Sequence, residues 1–122
     1  MTKIFIPRNV ASSKNSKRWT GKKLINSKLV MDYKDSTAIF WIKNKSKFLE
    51  VIKDKPKPLK VGFYFIRKDK RKFDFVNVAQ LPLDLMQLYN WIQDDCMTEV
   101  VPVFLGYHVD KLNPGLEITI LD

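Results

Sequence analysis

Asp74, Asn77, Asp84 and the adjacent pair Asp94-Asp95 stand in one stretch, Arg71–Asp95, that opens on the cations Arg71 and Lys72. Cations beside clustered carboxylates are what phosphodiester chemistry calls for. The cations hold phosphates, and the carboxylate oxygens hold Mg²⁺, which polarises a phosphoryl oxygen and activates a water. Each residue also has a plainer reading. Asp74 at a helix start complements the helix dipole, and Asn77 can serve as an N-cap. Asp94 and Asp95 can be solvated loop charges, with Asp94 the more structural of the two. Asp84, on an otherwise apolar helix, reads as a structural or dimer-contact residue and not as a ligand.

Two further basic clusters could grip phosphates. Lys14, Lys17, Arg18, Lys22 and Lys23 surround Trp19, and cations with an interleaved aromatic can hold a backbone and stack on a base. The alternative is a solvated loop with Trp19 folded onto the core. Arg67, Lys68, Lys70, Arg71 and Lys72 adjoin Asp74 directly. A third group, Lys53, Lys55, Lys57 and Lys60, has no such neighbour.

The clusters are part of a chain-wide surplus. The 122 residues carry 22 Lys+Arg against 13 Asp+Glu, a formal net charge of +9, which favours polyanionic partners. With 45% hydrophobic residues, the composition is that of one globular domain, residues 1–122. No apolar run approaches the roughly 18 residues of a membrane span, and no basic helix has a clean apolar face, so no membrane partner is expected. The apolar start before Pro7 is too short for a signal-peptide core. Cys96 is the one cysteine, which excludes an internal disulfide and suits a reducing cytoplasm. It reads as a small packing residue. His108 is the one histidine, so zinc sites and Cys-His catalysis lack parts, and it reads as structural. With four glycines and no phosphate loop, no small-molecule cofactor is expected.

The elements that must position these residues form an α+β pattern. Lys3–Pro7 reads as a strand and Arg8–Lys23 as a long surface loop. A helix is predicted from Ser27, with Val30, Tyr33, Thr37, Phe40 and Trp41 on its buried face, and a second helical piece from Ser46 to Ile52. Leu59–Arg67 reads as a strand. Asp74–Tyr89 reads as a helix that is apolar almost all round and contains Pro82. Trp91–Asp95 reads as a loop, with Trp41 and Trp91 in the core. Thr98–Val109 reads as a strand whose Pro102 implies an edge or a bulge. Lys111–Gly115 reads as a hairpin turn before a last strand, Leu116–Leu121. The sum is a small mixed sheet of about four strands with about two helices.

Taken in order, these features resemble the RusA-type Holliday-junction resolvases, endonucleases of bacteria and their prophages. The family pattern is a basic cluster, Asp-x-Asp-Asn, a helix with an Asp, a turn and Asp-Asp. Arg71-Lys72, Asp74, Asn77, Asp84 and Asp94-Asp95 follow it. Pro7 with Ser12-Ser13-Lys14-Asn15-Ser16 resembles the family's N-terminal loop, and Asn113–Ile118 its last hairpin. The resemblance implies a homodimer that binds four-way DNA junctions and cuts two strands symmetrically, in recombination and repair. It implies Mg²⁺ (or Mn²⁺) held by Asp74 and Asp95 with Asp94 beside them, and Asn77 and Gln80 in support. Two positions depart from the family. Val76 stands where it has its second Asp, and Gln80 where it has a Lys. A carboxylate fewer weakens a Mg²⁺ site, so a dimeric protein of the same fold that binds branched DNA without cutting is the second reading. An RNA-binding accessory protein is the third.

Overall fold

The computed structural model of the chain describes residues 2–12, 17–19, 24–26 and 28–122, the two short segments between by backbone alone. Its order is β1 (Lys3–Pro7), β2 (Lys17–Trp19), β3 (Leu24–Asn26), α1 (Lys28–Ile52), β4 (Leu59–Arg67), α2 (Phe75–Leu88), β5 (Val100–Val109) and β6 (Gly115–Leu121). The predicted α+β class, with two helices and a four-stranded mixed sheet, is what the chain adopts. β2 falls inside the stretch expected to be loop and pairs with β3, just beyond that stretch, as an antiparallel ribbon.

α1 is one helix of 25 residues, not the two pieces predicted. Nothing between Lys28 and Ile52 is Gly or Pro. Asn44, which could have broken the helix, instead donates its side-chain N–H to the Phe40 carbonyl at 2.8 Å. Val30, Tyr33, Thr37, Trp41 and Phe48 are buried along one face. α2 runs through Pro82, which is buried within it. Its apolar belt is incomplete, because Val76 and Leu88 near its two ends are exposed.

The sheet order is β1-β6-β4-β5. β6 lies antiparallel between β1 and β4, and β5 pairs with β4 in parallel. The hairpin predicted at Lys111–Gly115 therefore does not form: β5 and β6 are separated by β4. The reason is the β4–α2–β5 crossover, which returns β5 in the direction of β4 and leaves β6 to enter on the far side. β5 is an edge strand, as Pro102 implied, and it also carries a bulge, where Phe63 pairs with Phe104 and Tyr64 with Gly106. Leu105 is the extra residue, and Gly106 takes φ +130°, a conformation that favours glycine.

One face of the sheet, with Ile4, Ile6, Val61, Phe63, Phe65, Leu116, Ile118 and Ile120, is buried in the core beneath the helices. Trp91 holds α1 to the turn after α2. Its indole N–H donates to the Trp41 carbonyl at 2.9 Å, and its ring stacks on Phe48 at 4.8 Å between centroids. Trp41 in turn donates to Thr37 Oγ1. Both indoles are core, as expected, and truncating either to Ala costs about 3–5 kcal/mol.

Candidate functional site

Where β1, the start of α1 and the β4–α2 connection meet, the chain leaves a cleft of about 690 Å³. Arg8, Arg67, Lys68, Arg71 and Lys72 line it, against the carboxylates of Asp32, Asp69 and Asp74. One carboxylate is spoken for locally: Asp69 Oδ1 accepts the Arg71 backbone N–H at 3.0 Å, and Asp69 Oδ2 lies 3.8 Å from Arg71 Nε. That turn leaves the Arg71 side chain 87% exposed at the cleft rim.

Arg67 is the fixed cation. It ends β4, is half-buried, donates from Nη1 to the Val10 carbonyl at 2.8 Å and sits 4.7 Å over the Phe73 ring. Burial lowers its pKa from the ordinary arginine value and Asp69 opposes the shift, but a guanidinium remains charged. The backbone N–H of the next residue, Lys68, donates to Asn9 Oδ1 at 3.0 Å, so the end of β4 and the segment after β1 are tied together across the cleft. In that segment Arg8 holds φ +92° while its N–H donates to the Pro114 carbonyl at 3.0 Å. A non-glycine residue held there is strained, and such residues cluster at binding sites.

Tyr33 of α1 also lines the cleft. Its hydroxyl is buried and has no hydrogen-bond partner among the described residues. Burial pushes its pKa far above the usual tyrosine value, so it stays a protonated donor. A buried donor left unmade costs about 1–3 kcal/mol.

The carboxylates named from the sequence fall into two places. Asp74 is the N-cap residue of α2 and lines the cleft, yet its side chain makes no cap hydrogen bond. Its Oδ2 instead accepts from Asn77 Nδ2 at 3.3 Å. Asp95 lies elsewhere, at Gln80. Gln80 Nε2 donates to Asp84 Oδ1 at 2.7 Å and to Asp95 Oδ2 at 3.2 Å. Asp94 Oδ1 accepts the Asp95 backbone N–H at 2.7 Å. Mg²⁺ takes near-octahedral oxygens at about 2.1 Å, several of them protein carboxylates or water. All 13 acidic residues, His108 and Cys96 are among the described residues, and no three of them form a group that could hold a metal. The donors expected for Mg²⁺ are engaged by amides at two separate points, and Val76 contributes no oxygen. They do not fit a ready-made metal centre.

Of the cations named from the sequence, Arg67, Arg71 and Lys72 line the cleft, while Lys70 is exposed outside its lining. Lys14, Lys22 and Lys23 lie outside the described residues. Lys17, Arg18 and Trp19 belong to β2, whose side chains lie outside them too. Sequence reading missed Arg8, Asp32, Tyr33 and Asp69, which no local motif marks. The Pro7-Arg8-Asn9 step at a strand end was the one available signal. Cys96 is not a packing residue: it is exposed, with Sγ 3.1 Å from Thr98 Oγ1. His108 is exposed on β5, with Nδ1 2.8 Å from the Tyr64 hydroxyl. Among the described residues no helix is long and apolar enough to cross a membrane. The chain matches no family model and no curated protein.

Proposed function

We propose that this chain binds the phosphate backbone of nucleic acid in the cleft between β1, α1 and the β4–α2 connection, as a branched-DNA-binding protein of RusA-like character. One observation carries the reading: five cationic side chains line a single cleft. Arg67 is fixed there by a carbonyl and a ring. Rigid and mobile cations together suit a phosphate track, and a net charge of +9 draws a polyanion to it. The amide engagement of Asp74 and Asp95 favours binding over metal-assisted cutting.

The test is a labelled four-way DNA junction titrated with the protein, beside duplex DNA, single-stranded DNA and RNA of matched length. Each is read by anisotropy and by denaturing gel, in EDTA, Mg²⁺ and Mn²⁺. The expected result is preferential binding of the junction, no nicks in any buffer, and weaker binding in Arg71→Ala/Lys72→Ala. Paired nicks that need metal and vanish in Asp74→Asn and Asp95→Asn would restore the endonuclease reading. A preference for RNA would move the chain to the third reading.

A further inference from the structure

The sheet edge beside the cleft carries two exposed rings, and the bulge in β5 sets them side by side. Phe104 and Tyr107 stand three residues apart, a spacing that puts the side chains of a regular strand on opposite faces. The extra residue Leu105 restores the phase. Phe104 then pairs in register with Phe63 and Tyr107 with Phe65, so both rings come to the face of the sheet that the helices cover. Their centroids lie 6.5 Å apart at 37°. Gly106 makes the step possible at φ +130°, and a Cβ there would come within 3.2 Å of the Tyr64 ring.

Packing uses only part of each ring. Phe104 stacks on Phe65 at 6.2 Å and leans on Phe75 at 5.3 Å, and Tyr107 meets Phe73 edge-on at 5.0 Å. Phe104 is still 43% exposed and Tyr107 55%. Phe73 joins this patch to the cleft, because it lines the cleft and carries the Arg67 guanidinium 4.7 Å over its ring. Lys72 and Asp74 flank Phe73 in the chain, and both are exposed. Beyond Val109, the Asp110 carboxylate accepts the backbone N–H groups of Leu112 and Asn113. His108 turns to the opposite face, where its Nδ1 meets the Tyr64 hydroxyl. Exposed rings continuous with fixed cations suit one occupant, a nucleotide, which brings a flat base for the rings and a phosphate for the cations. The Asp74 carboxylate, engaged by Asn77, repels a phosphate from the patch itself but not a neutral base. We infer that Phe104 and Tyr107 form a stacking platform for an unpaired base of DNA whose backbone lies in the cleft. The inference rests on the nucleic-acid reading of the cleft. It adds what phosphate contacts cannot supply, a preference for unpaired over paired nucleotides.

The experiment compares two labelled DNA duplexes, one fully paired and one ending in a short unpaired tail that carries 2-aminopurine. Anisotropy reads binding, and quenching of the 2-aminopurine reads stacking. Circular dichroism checks that each variant of the full chain is folded. Expected are tighter binding of the tailed duplex and quenching on binding. Tyr107→Leu and Phe104→Leu, which keep an apolar side chain, should each weaken the tailed duplex by about fivefold or more, the scale of one lost base stack. Each should also reduce the quenching and leave the paired duplex unchanged, whereas Tyr107→Trp should keep both the affinity and the quenching. Quenching that survives both leucine variants overturns the inference, and so does an equal loss on the paired duplex. A dimer that Tyr107→Leu dissociates in sedimentation, with quenching unchanged, would assign the rings to a second copy and overturn it too. Binding of the tailed duplex without quenching overturns the platform alone, while failure to bind either duplex removes the nucleic-acid reading of the cleft along with it.

Discussion

Gln80 reaches fifteen residues along the chain to donate its side-chain N–H to Asp95 Oδ2 at 3.2 Å. The same nitrogen serves Asp84 Oδ1 at 2.7 Å, so one neutral amide holds two carboxylates together and fastens α2 to the turn that follows Trp91. Removing it leaves two like charges facing each other without a donor. Gln80→Ala is therefore expected to destabilise the fold by about 0.5–1.5 kcal/mol, as for a lost hydrogen bond to a charged acceptor in a partly exposed setting. Junction affinity should be unchanged, since Gln80 does not line the cleft. Urea denaturation and anisotropy on one preparation check both halves. A loss of binding with stability intact would place Asp95 in the site after all.

Tyr33 ties stability to alkaline pH. Burial raises its hydroxyl pKa in the folded chain. The contribution is complete below the unfolded value of about 10 and is lost as pH rises beyond it, because only the unfolded chain then releases the proton. The slope for one such group is about 1.4 kcal/mol per pH unit. Tyr33→Phe should remove that slope from a melting-temperature series between pH 9 and pH 11, roughly the window set by the free tyrosine value. At neutral pH the variant should melt no lower than the parent, because an unmet buried donor is gone.

What could be read in advance followed from local physics. β4 was legible to the residue, because LKVGFYFIR has the length and aromatic content of a strand and is bounded by prolines and charges. The start of α2 at the Asp74 cap was legible for the same kind of reason. Strand partners were not. The KLNPG turn has the chemistry of a hairpin, but pairing is decided by where α2 delivers β5, and no residue near the turn encodes that. The site divided in the same way. Arg71, Lys72 and Asp74 were visible as neighbours in sequence. Arg8, Tyr33 and Arg67 meet across three elements, and Asp95, joined to Asp74 only by what the resemblance implies, accepts from Gln80.

Arg8 holds a backbone conformation that glycine adopts freely, at φ +92°. Its N–H bond to the Pro114 carbonyl needs no side chain. Arg8→Gly should therefore keep the fold and raise its stability by about 1 kcal/mol, since the strain of a non-glycine residue in such a region is on the order of 1–3 kcal/mol and glycine's added freedom when unfolded offsets part of it. In the same variant junction binding should weaken about tenfold, the scale of one lost charge-assisted contact. Thermal melts and anisotropy test the pair of effects. A variant that is both less stable and fully binding would show the strain to be a structural device of the β1 end and not a feature of the site.

The cleft cations make a quantitative claim about salt. A protein that neutralises phosphates releases counterions, and log K falls against log salt by about 0.9 for each phosphate contact on duplex DNA. Arg71 and Lys72 are exposed at the cleft, whereas Arg67 is held in place. Arg71→Ala/Lys72→Ala should reduce the slope by about 1.8 and weaken all DNA substrates alike, since contacts to phosphate carry no shape or base information. Lys53→Ala/Lys60→Ala removes the same charge from residues outside the cleft lining and should leave the slope within error of the parent. Equal effects from the two pairs would mean that the net charge of the chain, and not the cleft, attracts the nucleic acid.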